Sequence, residues 1–119
     1  MELISVIVPC YNEQESLPLF YKEITAVKDG MKEKNNELEF EYIFVNDGSK
    51  DNTLKLLREL APTDSRVRYI SFSRNFGKEA AMLAGMEASK GDYVVILDAD
   101  LQHPPKLIPQ MYECEQRRI

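Results

Sequence analysis

The chain has 119 residues, 44% of them apolar and 29% charged, and a net charge of −5. That is enough for one hydrophobic core and not comfortably two. The composition is that of an ordinary globular domain, and an acidic chain without long basic clusters argues against nucleic acid as the main partner.

The densest basic spots, Lys32-Glu33-Lys34 and Arg117-Arg118, read as solvated helix surface. There is no apolar run long enough to cross a bilayer and no positively charged leader at the start of the chain. Cys10 and Cys114 are far apart and have metal-ligand spacing neither to each other nor to His103. A reduced, cytosolic chain is expected, and the plainer reading of each cysteine is a small core residue or a strand-end residue.

Leu3 to Val8 is apolar and β-branched and ends at Pro9, which predicts a central strand. Asn12 and Glu15 fit a capping box, so a helix is expected to begin there. Its apolar face is Leu17, Phe20, Tyr21, Ile24, Val27 and Met31, at steps of three and four. Pro18 sits too deep for that start and points to a later or irregular one. Asn35-Asn36 ends the helix. Phe40 to Val45 is a second strand, and residues 46–52 form a loop rich in turn residues. Ser49 or Asp51 is expected to cap a helix with Leu54, Leu57 and Leu60 on its face, stopped near Pro62. Val67 to Phe72 is a third strand. After the loop 73–78, Ala80, Ala81, Leu83, Ala84 and Ala88 are expected to form a small-residue helix face, with Gly91 as the glycine just past its end. Tyr93 to Leu97 is the fourth strand, and Pro104 or Pro105 opens a fourth helix.

Strand and helix alternate four times, which predicts an α/β fold with a parallel sheet and right-handed crossovers. Ligands bind such sheets at the carboxyl ends of the strands. Four loops, 9–13, 46–52, 73–78 and 98–103, therefore face one crevice. Asp98 and Asp100 follow the most apolar strand, where like charges disfavour each other unless a cation lies between them. Hard cations such as Mg²⁺ and Mn²⁺ take carboxylate oxygens and leave positions for water or phosphate. If the segment is extended, the i, i+2 spacing turns both acids to one face, and Gln102 continues it. The plainer reading is a pair of acids favoured by a helix dipole.

Asp47 can accept from a base or a ribose, or it can merely shape an Asx-turn. Tyr11 can stack on a flat ring or pack at a strand end. Glu13 can accept from ribose or sit as a first-turn acid. Arg74 and Lys78, with Lys50, are the cations of the crevice loops and suit a diphosphate. His103 is a metal neighbour or a helix cap, the latter favoured by position. The chain contains no G-x-G-x-x-G, no P-loop and no G-x-S-x-G elbow. A nucleotidyltransferase with a related sheet is disfavoured, because its glycine-rich first loop is missing.

Four segments in order, Ser5–Glu13, Val45–Thr53, Ser73–Ala80 and Asp98–Pro105, resemble glycosyltransferase family 2. Within it they look most like the branch that moves a sugar to a polyprenyl (dolichyl or undecaprenyl) phosphate. The resemblance spans essentially the whole chain. It implies a Rossmann-like GT-A fold and inverting transfer of a hexose from a UDP- or GDP-sugar. It further implies that residues 1–119 are the N-terminal, donor-binding part of such a domain. Pro9, Tyr11 and Glu13 would line base and ribose, and Asp47, beside Val45, would contact the base. Lys78, Asp98 and Ala99 would complete the nucleotide site. Asp98, Asp100 and Gln102 would hold Mg²⁺ or Mn²⁺. Asn46 stands where many members have Asp.

Family members continue past this length, and their acceptor site, usual catalytic base and frequent membrane helices lie downstream. This stretch is therefore expected to be soluble, while the full protein works at the cytoplasmic face of a membrane. Alone, the stretch is expected to bind nucleotide and metal without turnover, and to self-associate through uncovered sheet edge and apolar surface.

Overall fold

A computed structural model describes residues 2–102 and 104–116. It contains four strands, β1 (Glu2–Cys10), β2 (Leu38–Asn46), β3 (Val67–Ser71) and β4 (Tyr93–Ile96). Between and after them lie four helices, α1 (Leu17–Lys34), α2 (Thr53–Leu60), α3 (Lys78–Ala88) and α4 (Ile108–Gln116). All strand pairs are parallel, in the order β3-β2-β1-β4. Right-handed crossovers then dictate the layers. The steps from β1 to β2 and from β2 to β3 run in one direction, so α1 and α2 share a face. The step from β3 back across to β4 runs the other way, so α3 covers the opposite face.

Side-chain alternation along the strands feeds both layers. Ile4, Val6, Val8 and Cys10 of β1 join Phe40, Tyr42 and Phe44 of β2 under Leu17, Phe20 and Ile24 of α1. Leu57 of α2 and Ile108 of α4 close the same core. Phe20 is fully buried, which is worth about 2–3 kcal/mol, and its ring meets Phe44 edge-on at 6.2 Å. Ile43 and Val45 of β2 pack on Ala81 of α3. This second layer is thin because α3 approaches closely: a Cβ on Gly85 would lie 2.4 Å from Ile7 Cγ2.

Several expected boundaries shift for physical reasons. The first helix starts at Leu17 and not after Asn12, and Pro18 falls in its first turn, where a missing N–H costs nothing. Asn12 instead has φ of +54° and serves the loop. The α3 face toward the sheet is Ala81 and Gly85, one turn apart, while Leu83 lies on the far side and is exposed. Gly91 is not a helix-terminating glycine. Helix α3 ends at Ala88 with Ser89 extended, and Gly91 lies against β1, where a Cβ would be 2.3 Å from Ser5 Oγ. The residue that caps α2 is Asn52 and not Ser49 or Asp51, although Asp51 Oδ1 accepts the Thr53 N–H at 2.9 Å and the Thr53 hydroxyl at 2.6 Å just ahead of the helix. A single 3-10 turn, Pro105–Leu107, precedes α4, so Pro105 opens that turn and not the α-helix itself.

A polar cluster ties the end of α3 to the sheet. Glu41 accepts from Ser5 Oγ, from the Lys90 N–H at 2.7 Å and from Arg68 Nη2 at 2.7 Å. Arg68 also donates to the Ala88 carbonyl at 2.8 Å. Burial pushes the Glu41 carboxyl up, but these donors outweigh it and hold it below the usual carboxylate range. Among the described residues no helix is long and apolar enough to cross a membrane.

Candidate functional site

Because β1 is flanked by β2 on one side and β4 on the other, the order in which strands are added to the sheet reverses between β1 and β4. The loops after these strands splay apart there and leave a crevice. A cleft of about 130 Å³ opens at this point. The loop after β1 lines it with Pro9, Cys10, Tyr11 and Glu13, and the loop after β2 with Asp47. Lys78 at the start of α3, and Asp98, Ala99 and Asp100 after β4, complete the walls. All four loops expected to converge do so.

The loops after β1 and β2 are laced together by side chains bonding to backbone. The Asn12 N–H donates to Ser49 Oγ at 2.9 Å, and the Lys50 N–H to Asn12 Oδ1 at 2.8 Å. The Glu13 N–H donates to Thr53 Oγ1 at 2.9 Å, and the Gln14 N–H to Asp51 Oδ2 at 3.1 Å. Each bond satisfies a loop N–H that no helix or strand serves, and together they fix the side of the cleft that carries Tyr11 and Glu13. The Tyr11 ring itself is exposed.

Asp47 is almost fully buried. Its Oδ1 accepts the Phe76 N–H at 2.7 Å, and its Oδ2 accepts the Gly77 N–H at 3.0 Å and Asn75 Nδ2 at 3.3 Å. The carboxylate thus binds the turn that leads into α3, close to the positive end of that helix. Gly48 beside it has φ of +68°, and a Cβ there would lie 2.2 Å from the Arg74 carbonyl carbon. Asp47 and Gly48 together seat the 74–77 turn against the end of β2. Arg74, expected to face a diphosphate, stacks its guanidinium over Phe76 at 4.7 Å. Lys78 does reach the cleft: its Nζ lies 2.8 Å from Asp98 Oδ1.

The segment after β4 is a tight turn, so the condition under which the i, i+2 spacing would put both acids on one face of an extended segment is not met. Leu101 has φ of +66°, a costly conformation for a residue with a Cβ. Its N–H reaches the Asp98 carbonyl at 3.3 Å. Asp100 Oδ1 accepts the Gln102 N–H at 3.1 Å. Ala99 is buried and Leu101 packs on the core, and this anchors the turn while Asp100 stays exposed.

Acids crowd the cleft. Burial raises the Glu13 carboxyl above its ordinary value, Asp100, Asp98 and Asp51 add to the rise, and a hydrogen bond from Ser16 opposes it. Burial pushes the Cys10 thiol far up, with help from Glu13, Asp51 and Asp98, so Cys10 is a neutral thiol and not a nucleophile. Asp98 and Asp100 offer the hard oxygens that Mg²⁺ or Mn²⁺ prefers, and both line one cleft. No three acidic, His or Cys side chains among the described residues are arranged to hold a metal by themselves. The donor set fits a cation that takes its remaining ligands from water or phosphate.

Of the predicted site residues, the structure brings together Pro9, Tyr11, Glu13, Asp47, Lys78, Asp98, Ala99 and Asp100. Val45 is buried in β2 against α3, and Gln102 is exposed on the turn; neither is among the cleft-lining residues. His103 lies outside the described residues. Sequence reasoning did not single out Cys10 as a wall of the cleft or Asn75 as a partner of Asp47, since nothing local marks either.

A parallel four-stranded sheet with flanking helices, its loops gathered at the switch point, makes this an α/β domain of GT-A type. The profile of Glycosyl transferase family 2 matches residues 5–114, and the chain belongs to that family. It is 44% identical over 110 residues to a bactoprenol glucosyl transferase of Shigella phage SfX, covering 92% of this chain and 34% of that protein. It is 45% identical over 111 residues to an undecaprenyl-phosphate 4-deoxy-4-formamido-L-arabinose transferase of Pseudomonas fluorescens, covering 92% and 31%. The chain therefore spans about a third of the length of these relatives. Among solved structures, S. aureus TarS 1–349 in complex with UDP superposes with a TM-score of 0.74 at 22% identity, covering 98% of this chain and 32% of that one. The mannosyltransferase PcManGT from Pyrobaculum calidifontis, in complex with GDP-Man and Mn²⁺, gives 0.67 at 28% identity, covering 82% and 27%.

Proposed function

We propose that this chain is the donor-binding part of a metal-dependent, inverting glycosyltransferase that moves a hexose from a UDP- or GDP-sugar to a polyprenyl phosphate. The observation that carries the reading is the convergence of Tyr11, Glu13, Lys78, Asp98 and Asp100 on one cleft at the switch point. The relatives named for bactoprenol and undecaprenyl phosphate support the acceptor class. The neighbour holding GDP-Man and Mn²⁺ supports the donor and the metal.

In this reading Pro9 and Tyr11 face the base, with the Tyr11 ring as a stacking surface. Glu13 accepts from ribose. Asp47 lines the same end while its oxygens hold the 75–77 turn, and Val45 supports it from β2. Ala99 forms the floor between the two acids. Lys78 meets the diphosphate. Asp98 and Asp100, with Gln102 one turn beyond, hold Mg²⁺ or Mn²⁺. Such an ion, when bound, neutralises charge on the diphosphate leaving group.

Titrating UDP, UDP-glucose, GDP and GDP-mannose with and without Mn²⁺ tests the proposal. Metal-stimulated binding of one of them, lost in Asp100→Ala, is expected. If none binds the wild-type chain, the donor-site reading is wrong.

A second reading concerns the chain by itself. Its span of about a third of its relatives favours binding without transfer. Nucleotide binding with no sugar reaching a polyprenyl phosphate is the expected result for the 119-residue chain. Sugar transfer by this chain alone would refute that reading. The full protein is proposed to act at a membrane, where a polyprenyl carrier resides.

Self-association of the chain is also proposed. Strand β4 pairs only with β1 among the described residues, and a groove of about 950 Å³ runs between it and α4 past Val94, Leu107 and Met111. Val94 and Met111 are exposed, and an unpaired apolar edge recruits further strands. Light scattering checks this, and a monodisperse monomer would count against it.

A further inference from the structure

Lys78 opens α3 and reaches across the cleft to the end of β4. Its ammonium lies 2.8 Å from Asp98 Oδ1 and 3.0 Å from Oδ2. It thus faces both oxygens of a carboxylate assigned above to a divalent cation. An ammonium and a metal ion cannot both sit on those oxygens without strong repulsion. Among the described residues this is the one ion pair at the cleft, although Glu13 and Asp100 also line it.

The base of Lys78 is fixed while its tip is free. Asp47 holds the Phe76 and Gly77 N–H groups, and Gly48 lies directly beneath Arg74 and Asn75. The backbone that delivers Lys78 therefore cannot drift. The side chain beyond it is 58% exposed, on a flexible four-carbon stem. Such a group can change partners by rotating its own torsions, with no movement of the fold.

We propose that Lys78 is a built-in counter-cation that occupies the cation position at Asp98 in the unliganded protein and is drawn off by the diphosphate of the donor as the metal takes its place. This rests on the donor-site reading above. Metal alone must displace the ammonium from Asp98 without bringing it a new anion. Metal arriving with a diphosphate gives the ammonium a new partner, so the two ligands strengthen each other's binding. By linkage the strengthening is equal in both directions. The device biases the cleft against loading metal without nucleotide.

The test compares the wild-type chain with Lys78→Met, Lys78→Gln and Lys78→Arg, using MnCl₂ alone, UDP or GDP alone, and each nucleotide with MnCl₂. Binding of Mn²⁺ is read by paramagnetic resonance of the free ion, and that of nucleotide by calorimetry. Removing the charge is expected to tighten Mn²⁺ binding in the absence of nucleotide by about three- to fivefold, the scale of an exposed ion pair. The same variants are expected to bind nucleotide more weakly and to lose most of the mutual strengthening. Lys78→Arg, which keeps the charge, should behave as wild type toward Mn²⁺ alone. If the wild type binds nucleotide with Mn²⁺ but both neutral variants bind Mn²⁺ alone no more tightly than wild type, the counter-cation role is refuted and the donor site survives. If the wild type binds neither UDP nor GDP with Mn²⁺, the donor-site reading fails and takes this inference with it.

Discussion

The carboxylate of Asp47 accepts the backbone N–H of Phe76 at 2.7 Å, joining the end of β2 to a residue 29 positions later in the chain. This bond and its companions to Gly77 and Asn75 set the entry into α3 and so the place from which Lys78 reaches the cleft. Asp47→Ala removes the acceptor and leaves two N–H groups of a half-buried turn without their partner. A loss of about 2–3 kcal/mol is expected from hydrogen bonds to a charged group. Hydrogen exchange should show protection lost at residues 75–78, with the β1–β2 pairing retained. Protection of that turn equal to wild type would refute the role.

Gly48 carries the matching steric constraint. Its φ of +68° is unfavourable for a side chain, and a Cβ would lie 2.2 Å and 2.3 Å from backbone atoms of Arg74 and Asn75. Backbone cannot step aside as the end of a flexible side chain can. Gly48→Ala is expected to destabilise by about 3 kcal/mol or to displace the 74–77 turn. Gly30, where a Cβ meets nothing within 4 Å, is the control. Gly30→Ala in the exposed middle of α1 should stabilise by about 0.5–1 kcal/mol. Urea melts of the two variants check the contrast in sign.

Glu41 makes stability depend on pH. Its donors hold its folded-state value below the unfolded value near 4.5, so the folded protein favours the carboxylate. That stabilisation is fully present above the unfolded value and is lost as pH falls through the folded one. Glu41→Gln is expected to lower the urea midpoint at neutral pH, at a cost of about 1–3 kcal/mol. It should also make the decline below pH 4.5 shallower than in wild type. The decline should not vanish, since Asp51 and Asp64 are also held low by their own hydrogen-bond donors against the opposing effect of burial. An acid limb as steep as wild type would refute the assignment.

Tyr42 presents the reverse situation. Its hydroxyl is buried in the α1 face of the sheet and has no hydrogen-bond partner among the described residues. Burial, with Asp64 nearby, pushes its ionisation well above the ordinary tyrosine range, so it stays neutral. A lone buried hydroxyl is unfavourable, and its removal leaves the ring packing on Phe40 intact. Tyr42→Phe is expected to raise stability by about 1 kcal/mol. A drop in the thermal midpoint would show that the hydroxyl has a partner in solution.

The alternation of apolar strands and amphipathic helices was legible in the chain, because burial on a pleated strand and on a helix leaves different periods. Polar residues gathered at the strand ends were legible for the same reason, since loops carry what the core excludes. Some local signals misled. Asn12 and Glu15 have capping-box spacing, but Asn12 is engaged by the Lys50 N–H and the helix waits for Leu17. Leu83 was grouped with the small residues of α3 by composition, although its angle on the helix turns it to solvent. The acid pair 98 and 100 would share a face only on an extended segment, and the left-handed Leu101 makes it a turn.

The sequence by itself determined the element order, the parallel α/β class and the resemblance to glycosyltransferase family 2, because these depend on short-range periodicity and contiguous motifs. Only the tertiary structure decided which site residues meet. The strand order β3-β2-β1-β4 brings the ends of β1 and β4 side by side, and α3 packs across β1 and β2. Lys78 therefore reaches Asp98 across 20 residues of chain, and Asp47 reaches Phe76 across 29. Such pairings depend on where the backbone places two distant loops, and no local preference of the residues carries that information.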